Sequence, residues 1–214
     1  LHAQDISIPG DISSAAYFIA AAALLPRSSL EIGDVGVNPT RVAFVETLQE
    51  LGCDITIEEV HEESNEPVGV IRVSGKDAQT FQPSDAAFLV NGLAIPKLID
   101  ELPLLAVVGS QLPDGIEIRD AKELRVKESD RISTTAENLR AMGAEVDEFE
   151  DGLRVAGSTK LRGAKINPYG DHRIAMAFTV AALLAEGETE IEDADCVAVS
   201  FPEFFELLDS VIER

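Results

Sequence analysis

Positive charge is scarce in this sequence. Lys and Arg number 17 against 39 Asp and Glu in 214 residues, a formal net charge of −22. That excludes the broad basic surface which nucleic acids and anionic membranes require. Taken alone, the same deficit speaks against an anionic substrate. Long apolar runs are missing too. The longest is the stretch from Ala15 to Leu25, short of the roughly 20 residues a membrane span needs. No basic-then-apolar segment of the signal-peptide kind opens the sequence. Cysteine is nearly absent, and Cys53 and Cys196 lie far apart and match no metal-ligand spacing. Buried thiols outside any disulfide are expected, in a reducing, cytoplasmic setting. No low-complexity linker divides the chain. The first residues are Leu1-His2 with no Met, so a longer parent chain is expected. What is present is ordinary for a folded domain: 45% hydrophobic and 26% charged residues.

A weak internal repeat runs through the chain. Residues 13–25, 102–108 and 174–185 read as helices apolar nearly all round, the pattern of helices buried on every side. Each follows an aspartate placed as an N-cap or first-turn residue: Asp11, Asp100 and Asp171. Each precedes a short strand: Ser29–Ile32, Gly115–Ile118 and Thr189–Glu192. A more amphipathic helix comes next, over 40–51, 130–142 and 202–213. Gly52 and Gly143 stop the first two, and Pro202 starts the third. Paired strands follow the first two, Asp54–Glu58 with Gly69–Ser74 and Ala144–Phe149 with Leu153–Ala156. The expected architecture is an α/β (α+β) fold of three βαβαββ-type units, with buried parallel helices inside and sheets outside. The third unit is incomplete, and its missing strands are expected upstream in a fuller chain.

The scarce cations are unevenly spread. The 55 residues from Arg119 to Arg173 hold 11 of the 17 Lys and Arg. A local anion site is one reading; a set of solvated surface charges is the other. In Leu124–Ile132 a strand end is expected to run into a helix start, with Ser129 or Asp130 as cap and Arg131 in the first turn. Gly170-Asp171-His172-Arg173 repeats that logic at a buried helix. A helix N-terminus favours anions, so an arginine there is unfavourable unless an anion joins it. The bland alternatives are an arginine paired to a neighbouring carboxylate and, for Asp100, a plain N-cap. If the three buried helices run parallel, Asp11, Asp100 and Asp171-His172-Arg173 share one face. Carboxylates, a histidine and arginines would then stand together, as acid–base chemistry on an anionic substrate requires.

Five words carry a resemblance. They are Pro9-Gly10-Asp11-Ile12-Ser13-Ser14-Ala15, Ile99-Asp100-Glu101-Leu102-Pro103, Arg125-Val126-Lys127-Glu128-Ser129-Asp130-Arg131, Gly170-Asp171-His172-Arg173-Ile174-Ala175-Met176-Ala177 and Ser200-Phe201-Pro202. In these words, and in their order, the chain resembles the 5-enolpyruvylshikimate-3-phosphate synthase family, specifically the C-terminal half of a two-domain enzyme. UDP-N-acetylglucosamine enolpyruvyl transferases share the repeat fold, and RNA 3′-phosphate cyclases share the unit more distantly. The resemblance implies transfer of the enolpyruvyl group of phosphoenolpyruvate to the 5-hydroxyl of shikimate 3-phosphate, with release of phosphate, in aromatic amino acid biosynthesis. It implies neither metal nor organic cofactor. By matching words, Asp100 takes or orients the 5-hydroxyl proton with Lys127 beside it. Glu128 handles protons at the methylene carbon, Arg131 and Arg173 clamp the phosphoenolpyruvate carboxylate, and His172 sits near the leaving phosphate. Two positions depart from the pattern. Glu123 stands where some members have a substrate-binding asparagine, and Val199 where some have a phosphate-binding lysine. Residues 1–214 are then a single C-terminal domain. Its partner N-terminal domain would supply most shikimate 3-phosphate contacts, so little activity is expected of this piece alone. The rivals are a non-catalytic anion-binding module of the same fold and an enolpyruvyl transferase acting on a nucleotide sugar.

Overall fold

The computed structural model describes residues 6–75, 81 and 86–212. Its elements fall into three units. The first holds α1 (Ile12–Leu24), β1 (Ser29–Gly36), α2 (Ala43–Glu50), β2 (Asp54–Glu63) and β3 (Glu66–Ser74). The second holds β4 (Phe88–Val90), a single turn α3 (Ile95–Leu98), α4 (Leu102–Gln111), β5 (Ile116–Ile118), α5 (Arg131–Ala141), β6 (Val146–Phe149) and β7 (Gly152–Val155). The third holds β8 (Lys165–Ile166), α6 (His172–Leu184), β9 (Glu190–Ile191) and α7 (Phe204–Val211).

The repeat is explicit in the strand pairing. A parallel pair brackets each buried helix: β4 with β5 across α4, and β8 with β9 across α6. In the first unit the same link is the parallel bridge Gly10–Val35 across α1. An antiparallel hairpin then extends the sheet, giving the orders β1-β3-β2 and β4-β5-β7-β6. Among the described residues the third sheet has only β8 and β9. Both hairpin-bearing units turn out of their outer helix in the same way. Gly52 and Gly143 take φ of 91° and 94°, a left-handed conformation that glycine adopts without steric cost. The following amides of Cys53 and Ala144 return to the carbonyls of Leu48 and Leu139, both at 2.9 Å.

Burial follows the composition of the inner helices. Every residue of α1 except Ser14 is buried, as is every residue of α4 except Gln111. The three helices pack on one another in all pairings. A tyrosine–phenylalanine cluster seats α7 on α1, with the Phe204 ring 5.6 Å from Phe18 and 6.0 Å from Tyr17. Among the described residues no helix is long and apolar enough to cross a membrane.

Four expectations need correction. Pro202 does not start the third amphipathic helix, which spans Phe204–Val211; residue 213 of the expected span lies outside the described residues. Leu124–Val126 is not a strand end. The Arg119 amide still pairs with Val90, but Asp120 takes φ of 60° and turns the chain away into a 3-10 turn over Lys122–Val126. Asp100 is not an N-cap. The chain enters α4 already helical from α3, Glu101 flanks the helix without a side-chain cap, and Pro103 removes one donor that would need capping. Finally, Cys53 and Cys196 are half-buried rather than buried.

Candidate active site

The N-terminal ends of α4, α5 and α6 meet at one end of the helical core, and a buried ion pair forms the floor there. Asp171 caps α6, its Oδ1 accepting from the Arg173 amide at 3.0 Å. Arg131 opens α5. Their side chains are 0% and 1% exposed. Arg131 Nε donates to Asp171 Oδ2 at 2.8 Å, Nη2 donates to Oδ1 at 3.3 Å, and the Ser129 hydroxyl adds a bond to Oδ2 at 3.1 Å. Two charges can be kept in the interior only with this degree of pairing. Burial works against the charged Asp171 carboxyl, yet the Arg131 bonds prevail and hold it below the usual aspartate range.

The pair reaches outward through the rest of the guanidinium. Arg131 Nη2 donates to Glu128 Oε2 at 2.5 Å and Nη1 to Asp100 Oδ1 at 3.3 Å. The second oxygen of Asp100 lies 3.2 Å from Arg173 Nη2, and Arg173 Nη1 lies 3.9 Å from Glu101 Oε1. Asp100, Glu128, Arg131 and Arg173 are therefore one connected cluster. His172, the first residue of α6, is buried beside it, 7% exposed. Burial pushes its imidazole below the ordinary range, with Asp171 opposing and Arg173 assisting, which favours the neutral ring. The anions that compensate an arginine in the first turn of α5 are the protein's own carboxylates.

Two expected members of the site bond elsewhere. The Lys127 ammonium turns to Glu123, 2.6 Å away, and shows no bond to Asp100. Asp11 caps α1 through Ser14 rather than joining the cluster. Val199 is 80% exposed at the end of the 3-10 turn before Phe201. Nor do the cations of Arg119–Arg173 form one patch. Arg119, Lys122, Arg125 and Lys165 are spent on Asp151, Glu150, Asp130 with Glu148, and Glu192. The arginine–carboxylate pairing expected as the bland alternative at the two helix starts is met by Arg131 and Arg173.

One more member of the cluster stands in the Ile99–Pro103 word with no role implied for it there. Glu101 is 10% exposed at its side chain, and its Oε1 is buried without a hydrogen-bond donor. Ser13 of α1 lies alongside, itself bonded to Arg41 at 3.1 Å. Burial raises the Glu101 carboxyl above the usual range, against the opposing pull of Ser13 and Arg173. A carboxyl raised in the folded state costs stability once it ionises. Glu101→Gln is therefore expected to unfold at higher urea than the parent at pH 7. The gain should shrink as pH falls through the raised value and vanish near pH 4, where both folded and unfolded forms are protonated. An unchanged midpoint at pH 7 would contradict the buried-acid description.

Comparison with known proteins identifies the family. The family model described as EPSP synthase (3-phosphoshikimate 1-carboxyvinyltransferase) matches residues 1–208. The chain belongs to the EPSP synthase family. A relative from Koribacter versatilis named 3-phosphoshikimate 1-carboxyvinyltransferase is 55% identical over 97% of this chain and 47% of its own length. One of the same name from Desulforamulus reducens is 47% identical over 99% of this chain and 48% of its own length. Among solved structures, an EPSP synthase from Acinetobacter baumannii superposes with a TM-score of 0.87 at 34% identity, covering 96% of this chain and 46% of that one. The enolpyruvyl transferase NikO from Streptomyces tendae, at 18% identity and a TM-score of 0.75, shares the fold. This EPSP synthase family chain spans about half the length of the curated relatives it matches.

Proposed function

We propose that the complete protein transfers the enolpyruvyl group of phosphoenolpyruvate to the 5-hydroxyl of shikimate 3-phosphate, and that residues 1–214 are the C-terminal of its two domains. The observation that carries this reading is the bonded cluster of Asp100, Glu128, Arg131 and Arg173 at the helix N-termini. It places acids and anion-binding guanidiniums within one site, where helix dipoles also favour anions.

The chemistry follows from these groups. Asp100, 34% exposed, accepts the proton of the 5-hydroxyl as its oxygen bonds to C2 of phosphoenolpyruvate. Glu128, 50% exposed, delivers a proton to the methylene C3, giving a tetrahedral intermediate. In the elimination Glu128 takes a proton back from that carbon, the double bond re-forms, and the C2–O bond to phosphate breaks. His172 hydrogen-bonds the departing phosphate. Arg173, 18% exposed, presents its fork to the carboxylate. Arg131 joins it by exchanging its outer contacts to Asp100 and Glu128, while Asp171 keeps hold of its inner edge. Lys127 leaves Glu123 to reach the 5-hydroxyl region.

The exposure of Asp100 and Glu128 bears on the second half of the proposal. Water reaches both acids, and a second domain closing over them would exclude it and complete substrate positioning. A phosphate-release assay tests this directly. The complete protein is expected to release phosphate only when both substrates are present, and the 214-residue chain to turn over at least about 10³-fold more slowly. Equal rates would refute the two-domain requirement. Tight binding of both substrates to the complete protein without product would favour the non-catalytic module.

A further inference from the structure

The loop that carries Lys127 and Glu128 is closed at its base by a side chain outside the reaction assigned above. Arg125 stands at one end of the loop, in the 3-10 turn, and Asp130 at the other, flanking α5. Arg125 Nη1 donates to Asp130 Oδ2 at 2.8 Å and to Ser133 Oγ at 3.1 Å. The rest of the guanidinium is bolted to the β6–β7 hairpin. Nη2 donates to the Phe149 carbonyl at 2.5 Å and Glu148 Oε1 at 3.1 Å, and Nε donates to the Glu150 carbonyl at 2.8 Å. The side chain is 22% exposed, against 79% for Val126, the next residue along the loop.

Above this base the loop has few other holds. Lys127 is tied to the exposed Glu123, Glu128 to Arg131, and Ser129 to Asp171. In the proposed reaction the first two of these ties must loosen, because Lys127 and Arg131 turn to substrate. What then keeps Glu128 within reach of a carbon atom is the closure between residues 125 and 130. A planar fork with several fixed donors suits that task better than a flexible ammonium.

We propose that Arg125 is a positioning residue: by clasping Asp130 to the hairpin it holds the 126–129 loop, and with it Lys127 and Glu128, in the geometry that enolpyruvyl transfer requires. This rests on the function proposed above. Arg125→Gln in the complete protein lowers kcat about 10- to 100-fold and leaves KM for phosphoenolpyruvate within about threefold, because the guanidiniums that bind it stay in place. Arg125→Lys restores part of the loss. Asp130→Asn, which keeps a good N-cap on α5, lowers kcat in the same sense and serves if Arg125→Gln fails to fold. Glu148→Gln, which reduces one anchor from an ion pair to a neutral hydrogen bond and leaves the clasp, keeps kcat.

Amide hydrogen exchange reads the clasp without reference to the reaction. Residues 127–129 are expected to exchange at least about 10-fold faster in Arg125→Gln, with α5 and β7 unchanged. Unchanged exchange in that loop, a parental kcat, or a rise in KM matching the whole loss in kcat/KM would overturn the proposal. A wild-type protein that forms no product would instead overturn the functional reading, and loop exchange would still decide the clasp.

Discussion

Glu128→Gln and Asp100→Asn, each introduced into the complete protein, lower turnover by about 10²–10⁴-fold while the fold is retained, the range a positioned general acid or base contributes. The geometry explains why the fold survives. Glu128 is half exposed and makes one bond, to Arg131 Nη2. Partly exposed pairs of this kind contribute about 0–1 kcal/mol. Asn at position 100 keeps an amide oxygen for Arg131 and loses the proton-accepting carboxylate together with its partly exposed pair to Arg173. The two substitutions should differ in what they leave behind. Without Glu128 both addition and elimination lose their proton relay at C3. Without Asp100 only the addition step loses its base, and the tetrahedral intermediate, if supplied, still collapses. Steady-state kinetics with a parallel thermal melt checks both, and parental rates in either variant would remove that residue from the mechanism.

Asp171→Ala has the largest expected effect on stability, a loss of about 3–5 kcal/mol, because it leaves the Arg131 charge buried without its main partner. Asp171→Asn separates the causes. It keeps a capping oxygen for the Arg173 amide, so the cap, about 1 kcal/mol, is retained while the charge pair is lost. The sign of the pH dependence follows from the depressed Asp171 carboxyl. Its stabilising contribution is fully present above the unfolded-state value near 3.9 and is lost as pH falls through the lower folded-state value. The gap in urea midpoint between parent and Asp171→Ala should therefore be constant from pH 8 to about pH 5 and close in more acidic solution. A gap that widens toward low pH would contradict the pairing. Replacing both partners by apolar residues, as in Arg131→Met with Asp171→Leu, should recover much of the stability. Activity would still be abolished, since the clamp and the support of Glu128 are both gone.

Which features could be read from sequence alone follows the range of the interactions involved. Helices α1, α4 and α6 were legible because a helix apolar on every face has no partner but a core, and Gly52 and Gly143 marked the ends of α2 and α5 through local backbone chemistry. Strands β4 and β8 were not located. They are three and two residues long and parallel, so they carry no alternation to find. The members of the candidate site were legible as words, but their wiring was not. Arg131 meets Asp100 and Asp171 across 31 and 40 residues of sequence, and nothing local says that one guanidinium will serve three carboxylates. Asp100 reads as a cap because caps are what aspartates before helices usually are, whereas the preceding turn makes a cap unnecessary. Glu101 is not legible as a buried acid in sequence, because burying an acid without a donor runs against the ordinary rule for charged residues.

The overall charge of −22 also takes its place in this account. It says nothing against a phosphorylated substrate, because the two arginines proposed to bind it are held inside the acidic body by Asp171, Asp100, Glu128 and Glu101. Anionic substrates would compete with those carboxylates for guanidiniums already oriented, so charge at the site counts for more than charge in total.

The most direct test of the central claim is phosphorus NMR of the complete protein turning over phosphoenolpyruvate and shikimate 3-phosphate. The account predicts that the phosphoenolpyruvate resonance is replaced one-for-one by inorganic phosphate, while a shifted sugar-phosphate resonance marks the enolpyruvyl ether of shikimate 3-phosphate. Phosphoenolpyruvate consumed equally fast without shikimate 3-phosphate, or an enolpyruvyl group found on a nucleotide sugar in competition, would contradict it.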